Sequence, residues 1–99
     1  MMIRVVLPHH LQTLAACPRE VAVEVTGQVS QRTVLDALEK RFPVLRGTVR
    51  DHVTLKRRPM LRFFAGGADV THDSPDLELP RSVIVGEQPF IILGALAGG

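Results

Sequence analysis

Phe90-Ile91-Ile92-Leu93 is a run of four apolar residues between Pro89 and Gly94. Proline cannot donate to a strand ladder but is tolerated at a strand start, so the run predicts a short last strand. Successive side chains of a strand point to opposite faces, which makes this strand apolar on both faces. We therefore expect it at the centre of a sheet.

Two strands are predicted in the first quarter of the chain. Ile3 to Leu7 is rich in β-branched residues and ends at Pro8, and Val21 to Val25 places its valines on one face. We expect a loop of about 13 residues between them. Leu11 and Leu14 are predicted to anchor this loop to the core.

One helix is predicted in the middle of the chain. Ser30 stands at a helix N-cap position, and Pro43 disfavours helical backbone at the residue before it, so residues 31–42 should be helical. Apolar residues recur at intervals of three and four and form a single stripe. They are Val34, Leu35, Leu38 and Phe42.

A second group of strands follows the helix. Met60 to Ala65 predicts a strand that enters a hairpin turn at Gly66-Gly67, with Asp69 to Thr71 as the return arm. Residues 72–88 are predicted as loop and turn, within which Ser82 to Val85 could pair briefly.

This order of elements predicts an α+β fold with one helix across one face of a mixed sheet. With 99 residues the chain has room for a single domain, 1–99, and residues 94–99 are expected to form a flexible tail. One helix covers only one sheet face, so we expect the apolar opposite face to be an interaction surface and to permit weak self-association.

Residues for catalysis or metal binding are sparse. The four histidines lack metal-ligand spacing with a second ligand type, and the lone Cys17 cannot complete a zinc site or form an intramolecular disulfide. Gly66-Gly67 lacks the pattern of a phosphate loop. We therefore predict that the chain is not an enzyme and that it binds neither a metal nor a cofactor tightly. We also predict that it is a cytoplasmic protein without a membrane span. The histidines are His9, His10, His52 and His72.

Lys56-Arg57-Arg58, with Arg62 just beyond, is the focus of the basic charge. Such a cluster favours either a solvated loop or a patch for an acidic partner protein. Nucleic acid is not expected as a partner, because the chain has no Trp or Tyr on which bases could stack.

The chain ends in Gly98-Gly99. Glycine lacks a Cβ, so these residues could lie in a channel too narrow for other residues and bring a backbone carboxylate to a reactive group. The alternative is a frayed end without a role.

Motifs along nearly the whole chain resemble the MoaD/ThiS family of ubiquitin-like sulfur carriers. In order they are Val5-Val6-Leu7-Pro8, Leu11 to Ala15, Val21 to Gly27, Thr33 to Pro43, Phe63 to Val70 and Ala97-Gly98-Gly99. The resemblance implies a β-grasp fold whose first and last strands lie side by side at the centre of the sheet.

The resemblance also implies a mechanism. A partner of the ubiquitin-activating type, an adenylyltransferase, would use ATP to convert the Gly99 carboxylate to an acyl-adenylate, and sulfur transfer would give a thiocarboxylate. Gly98 would allow access to the partner's site. A sulfur-accepting synthase subunit would then receive the sulfur, in molybdopterin or thiamine synthesis. Partner contacts are expected at Phe64, Phe90, Ile92 and Ala97.

Two other functions remain open from the sequence. The activated Gly99 could be joined to a lysine of another protein, which would make the chain a protein modifier. The chain could also be a β-grasp binding module with a passive tail. Related carriers serve cysteine and thiolated-RNA synthesis too, so the receiving pathway stays open.

Overall fold

A computed structural model describes residues 1–94 of the chain. Five strands form one sheet in the order β2-β1-β5-β3-β4. The strands are β1 Met2–Val6, β2 Glu20–Glu24, β3 Leu61–Ala65, β4 Ala68–Asp69 and β5 Phe90–Gly94. The helices are α1 His9–Ala15, α2 Gln31–Arg41 and α3 Arg81–Ile84, with a 3-10 turn at Pro43–Leu45.

The centre of the sheet is the parallel pair of β1 and β5, in which Val5 lies opposite Phe90 and Val6 opposite Ile91. The other neighbouring strands are antiparallel. The predicted central position of the last strand, beside the first, is therefore confirmed. Two parallel strands so far apart in sequence need a crossover connection, and α2 lies in that connection.

The core lies between the sheet and α2. Val34 and Leu38 of the helix are fully buried, and so are Phe63 and Phe90 of the sheet, whose ring centroids are 5.4 Å apart. Rings at this distance and a tilt of 43° gain from each other beyond the apolar area they bury. The predicted α+β arrangement is confirmed.

Helix α2 begins and ends where the sequence predicts, to within one residue. The hydroxyl of Ser30 accepts the N–H of Thr33 at 3.2 Å, and the Thr33 hydroxyl accepts the N–H of Ser30 at 2.9 Å. Two N–H groups without helical partners are thereby satisfied. Phe42 is the C-cap, since Pro43 follows it.

The segment between β1 and β2 is helical over residues 9–15, and the predicted loop is wrong there. Leu11 is buried as expected, but Leu14 is 47% exposed and does not anchor the segment. The helix ends at Ala16, whose φ is 51° and whose N–H bonds the carbonyl of Thr13 at 3.2 Å. Two turns with one buried side chain give too weak a periodicity to detect in the sequence.

Helix α3 replaces the brief strand suggested for Ser82 to Val85. The N–H groups of Val83 and Ile84 both donate to the carbonyl of Pro80, at 3.0 and 3.2 Å. Val83 is fully buried in the core. The apolar run Val83-Ile84-Val85, of three residues, does not distinguish a helical turn from a strand by its pattern alone.

The predicted turn at Gly66-Gly67 is confirmed, with φ angles of 60° and 79°. The return arm is Ala68–Asp69, which begins one residue and ends two residues before the predicted arm of Asp69 to Thr71. Within residues 1–94, no helix has the length and apolar character needed to cross a membrane.

Candidate protein-interaction site

Gly98 and Gly99, the predicted adenylation site, and Ala97, a predicted partner contact, lie outside the described residues. The structure does describe the strand that leads to them. β5 ends at Gly94, so the strand includes the first residue of the segment predicted as tail. The chain thus continues to residue 95 from a strand that pairs with β1 through Phe90 and Ile91 and with β3 as far as Gly94.

Phe90 and Ile92 point into the core and are fully buried. The prediction that they contact a partner is corrected, because a side chain without exposed area cannot reach another protein. Pairing decides their direction: Phe90 lies opposite Val5, and Ile92 lies opposite Phe63, which are themselves core residues. The run is apolar on both faces, so its sequence carries no information about which face is inside.

Phe64, Ile91 and Leu93 form the opposite, outer face of the same strands. Phe64 lies opposite Ile91 across the antiparallel pair of β3 and β5, and both are half-buried. Leu93 is 43% exposed. We call these three residues the outer patch. Of the predicted contact residues, Phe64 belongs to the outer patch, whereas Phe90 and Ile92 do not.

A shallow pocket of about 340 Å³ adjoins the outer patch. Its other walls come from the turn before β4 and from the approach to β5, namely Ala65, Gly66, Gly67, Gln88 and Pro89. A concave apolar surface of this kind can receive one or two side chains of a partner protein.

Ion pairs flank the outer patch on both sides. Arg4 of β1 holds Glu20 through two hydrogen bonds of 3.1 and 2.9 Å, which lowers the pKa of that carboxyl. Arg62 of β3 donates to Asp69 at 3.0 Å. An apolar centre with a charged margin is the usual composition of a protein-binding surface.

The pKa of Asp69 lies well below its usual value. Hydrogen bonds from the hydroxyl and the backbone N–H of Thr71 are the main causes, and the guanidinium of Arg62 adds to them. The backbone bond is 2.9 Å long. Asp69 is therefore ionised throughout the physiological range and holds the first residues after β4 in place.

The predicted basic cluster lies beside the end of β5. Arg57 donates to the carbonyl of Leu61 at 2.8 Å, and Leu61 is the residue of β3 that lies opposite Gly94. The sequence predicted both the cluster and the last strand but not their proximity. Only the antiparallel pairing of β3 with β5 brings the two segments together.

The candidate metal ligands are not gathered into a site. Within residues 1–94, no three His, Cys, Asp or Glu side chains come close enough together to hold a metal ion. Cys17 is half-buried and packs against the core.

Comparisons with known proteins find this fold elsewhere. SAMP1 from Haloferax volcanii, in a crystal structure, is 18% identical and superposes with a TM-score of 0.70, over 100% of both chains. The small archaeal modifier protein 1 from Methanosarcina acetivorans, in a solution structure, is 18% identical with a TM-score of 0.70, over 99% of this chain and 96% of that chain. CysO, in the crystal structure of the Amycolatopsis orientalis BexX/CysO complex, is 20% identical with a TM-score of 0.69, over 97% of this chain and 98% of that chain. A scan against protein-family models and a search of curated protein sequences found no match.

At these identities the likeness shows the fold. The chain has the ubiquitin-like β-grasp fold, and the fold implied by the sequence resemblance is confirmed. Because one fold serves many activities, the function has to be argued from the site.

Proposed function

We propose that this chain is a ubiquitin-like sulfur carrier of the MoaD/ThiS type, whose terminal carboxylate is that of Gly99. A partner adenylyltransferase activates the carboxylate with ATP, and sulfur transfer converts it to a thiocarboxylate. The observation that carries the proposal is the course of β5, the central strand, which leads from the core towards Gly98-Gly99. The likeness of the fold to CysO and SAMP1 supports it.

The chemistry needs a partner because a carboxylate is a poor electrophile. An oxygen of the Gly99 carboxylate attacks the α-phosphorus of ATP, and pyrophosphate leaves. Hydrosulfide then attacks the carbonyl carbon of the acyl-adenylate, AMP leaves with the bonding electron pair, and the thiocarboxylate remains after loss of the sulfur-bound proton. ATP and catalysis belong to the partner; this chain contributes the carboxylate and the surface that positions it.

The outer patch is the surface that we assign to partner docking. Five extended residues span at most about 17 Å, so an enzyme that holds Gly99 in its active site must approach Gly94 closely. Leu93 lies next to Gly94 and is exposed, and Phe64 and Ile91 continue the apolar surface from it. CysO is itself found in a complex with BexX.

A second candidate is a protein modifier, in which the activated carboxyl carbon is attacked by a lysine amine of another protein and AMP leaves. The neighbours from Haloferax volcanii and Methanosarcina acetivorans are small archaeal modifier proteins, which favours keeping this candidate. The first activation step is shared, so the two candidates differ only in the attacking nucleophile.

The test starts from the purified chain and its intact mass, which should correspond to a protein ending at Gly99. After incubation with the cognate adenylyltransferase, ATP and sulfide, we expect a mass gain equal to the exchange of one oxygen for one sulfur. A variant lacking Gly98 and Gly99 is the control and should show no gain. An adenylyltransferase that activates its own known carrier but leaves this chain unchanged would refute the proposal.

A second measurement distinguishes a sulfur carrier from a protein modifier. Tryptic peptides from cells that express the chain are searched for lysines carrying the remnant of its last residues. Such remnants would favour the modifier. A thiocarboxylate without them favours the carrier. For such a carrier we propose the cytoplasm as the compartment and a pathway of the molybdopterin or thiamine type as the recipient of the sulfur.

A further inference from the structure

Basic charge is concentrated in residues 46–62, which we call the basic segment. It holds six of the twelve Lys and Arg residues of the chain and one of its ten Asp and Glu residues. The rest of the chain therefore has an excess of acidic residues, although the whole chain is net basic. Four of the six cations are exposed: Arg46, Lys56, Arg58 and Arg62.

Few of these exposed charges are neutralised by neighbours. Arg62 pairs with Asp69, and Arg58 reaches Asp51 only at 3.9 Å. Within residues 1–94, no carboxylate lies within ion-pair distance of Arg46 or Lys56. The segment therefore presents an unbalanced positive surface to the solvent.

The backbone of the basic segment is held by its own hydrogen bonds. The carboxylate of Asp51 accepts the N–H groups of Val53 and Thr54 at 2.8 and 2.7 Å. Arg58 donates its backbone N–H to the carbonyl of Val49 at 2.9 Å and its side-chain Nε to the carbonyl of Gly47 at 2.8 Å. These bonds fix the two ends of the loop against each other.

Two residues of the segment have left-handed backbone conformations, Leu55 with φ 60° and Met60 with φ 74°. For residues other than glycine such a conformation is unfavourable, and it persists only where the surroundings impose it. Both side chains are exposed, so neither conformation is explained by burial in the core. A strained, hydrogen-bonded loop that carries exposed cations is organised before any partner arrives.

The basic segment also lies at the place where the chain leaves the sheet. Leu61, near its end, lies opposite Gly94, and Arg62 lies opposite Leu93 of the outer patch. A partner that engages Gly99 must approach Gly94, because only five residues follow it up to Gly99, and will therefore meet this segment.

We propose that the basic segment docks on an acidic surface beside the active site of the protein that receives the tail. This inference rests on the proposed function. An acidic protein surface is preferred to nucleic acid because the chain has no Trp or Tyr, and because two of its four Phe rings, Phe63 and Phe90, are buried and unavailable for stacking. Charge complementarity of this kind accelerates association and orients the two proteins.

The test measures adenylation by the cognate adenylyltransferase, with pyrophosphate release as the readout. It compares two variants, each of which reverses two positive charges. The test variant is Arg46→Glu with Lys56→Glu. The control is Arg19→Glu with Lys40→Glu, which changes the net charge equally with two exposed cations outside the segment. At low salt we expect the KM for the test variant to rise about tenfold and that for the control less than about twofold, with kcat unchanged in both. The difference should shrink as salt screens the charges.

Three outcomes overturn the proposal. If the wild-type chain is not adenylated at any salt concentration, the proposed function fails and this inference with it. If the wild-type chain is adenylated but both double variants have the same KM, docking through the basic segment fails alone. If the test variant keeps its KM but loses binding to a labelled single-stranded oligonucleotide that the wild type binds, the segment is a nucleic-acid site. Equal unfolding midpoints of the two variants check that both are folded.

Discussion

Arg50 and Glu39 form a buried ion pair in which Nε of the arginine lies 2.8 Å from a carboxylate oxygen. Arg50 is 3% exposed and Glu39 is 8% exposed. Asp36 accepts a further hydrogen bond from the same guanidinium. The pair fastens the basic segment, to which Arg50 belongs, to helix α2.

Removal of one partner of the Arg50–Glu39 pair should lower the free energy of unfolding more than removal of both. Glu39→Gln leaves a buried guanidinium without its main counter-charge, and we expect the free energy of unfolding to fall by about 3 kcal/mol. Glu39→Leu combined with Arg50→Met removes both charges and should recover most of that loss. Urea unfolding of the wild type and these two variants measures it. A Glu39→Gln variant within about 0.5 kcal/mol of the wild type would show that Asp36 alone compensates the arginine.

Gly66 and Gly67 make a matched pair, because both have positive φ but only one is crowded. A Cβ at Gly66 would lie 2.9 Å from Cβ and Cγ of Pro80, whereas a Cβ at Gly67 would have no heavy atom within 4 Å. Gly67→Ala should lose about 1 kcal/mol from backbone strain alone, and Gly66→Ala should lose about 2–3 kcal/mol because the turn or Pro80 must also move. Thermal unfolding measures both, and equal losses would mean that Pro80 yields without cost.

Asp69 should contribute to the loss of stability in acid. Its pKa is lower in the folded protein than the ordinary value near 3.9, so as pH falls the unfolded chain takes up the proton first. The stabilisation is therefore complete above about pH 4 and is lost as pH falls through the lower, folded pKa. At neutral pH, Asp69→Asn should be less stable than the wild type, and the difference should narrow below about pH 4.

Asp73→Asn is the control for that comparison. The carboxylate of Asp73 is exposed and makes no hydrogen bond or ion pair within residues 1–94, so its replacement should leave the free energy of unfolding at neutral pH within about 0.5 kcal/mol of the wild type. Urea midpoints between pH 7 and pH 2 give the comparison. Parallel curves for the wild type and Asp69→Asn would contradict the assigned role.

The outer patch predicts a specific kinetic effect. Leu93→Asp places a charge in the proposed docking surface and should raise the KM for the proposed partner adenylyltransferase by about tenfold or more, with kcat unchanged. Met2→Asp is the matched control, because Met2 is similarly exposed, at 55%. It lies at the start of β1, and since β1 runs parallel to β5 with Val5 opposite Phe90, it is at the end of the sheet away from Gly94. Equal effects of the two substitutions would remove the docking assignment.

The strand β5 could be predicted from the sequence, but the orientation of its side chains could not. That residues 90–93 form a central strand follows from four apolar residues after a proline. Which of them face the core does not follow, because the alternation that would reveal it is missing. The pairing of Val5 with Phe90 settles the question, and with it the identity of the outer patch.

Short-range sequence signals were sufficient to predict the structure where one chemical group determines the local backbone conformation. Ser30 caps α2 through its own hydroxyl, and Gly66-Gly67 makes the turn through its freedom at positive φ, so both are predictable from neighbouring residues. Helices α1 and α3 lack such signals. Each is held by a single fully buried side chain, Leu11 or Val83, which becomes favourable only when the rest of the core is present.

The sequence by itself therefore determined the class of the fold, its one long helix, its hairpin and the glycine pair at its end. Only the tertiary structure decided which side chains are exposed on β5 and that the basic segment lies beside it. The physical reason is that both depend on strand pairing between distant segments, β1 with β5 and β3 with β5. Such pairing is chosen by the packing of the whole core, whereas caps and turns are chosen by the few residues that form them.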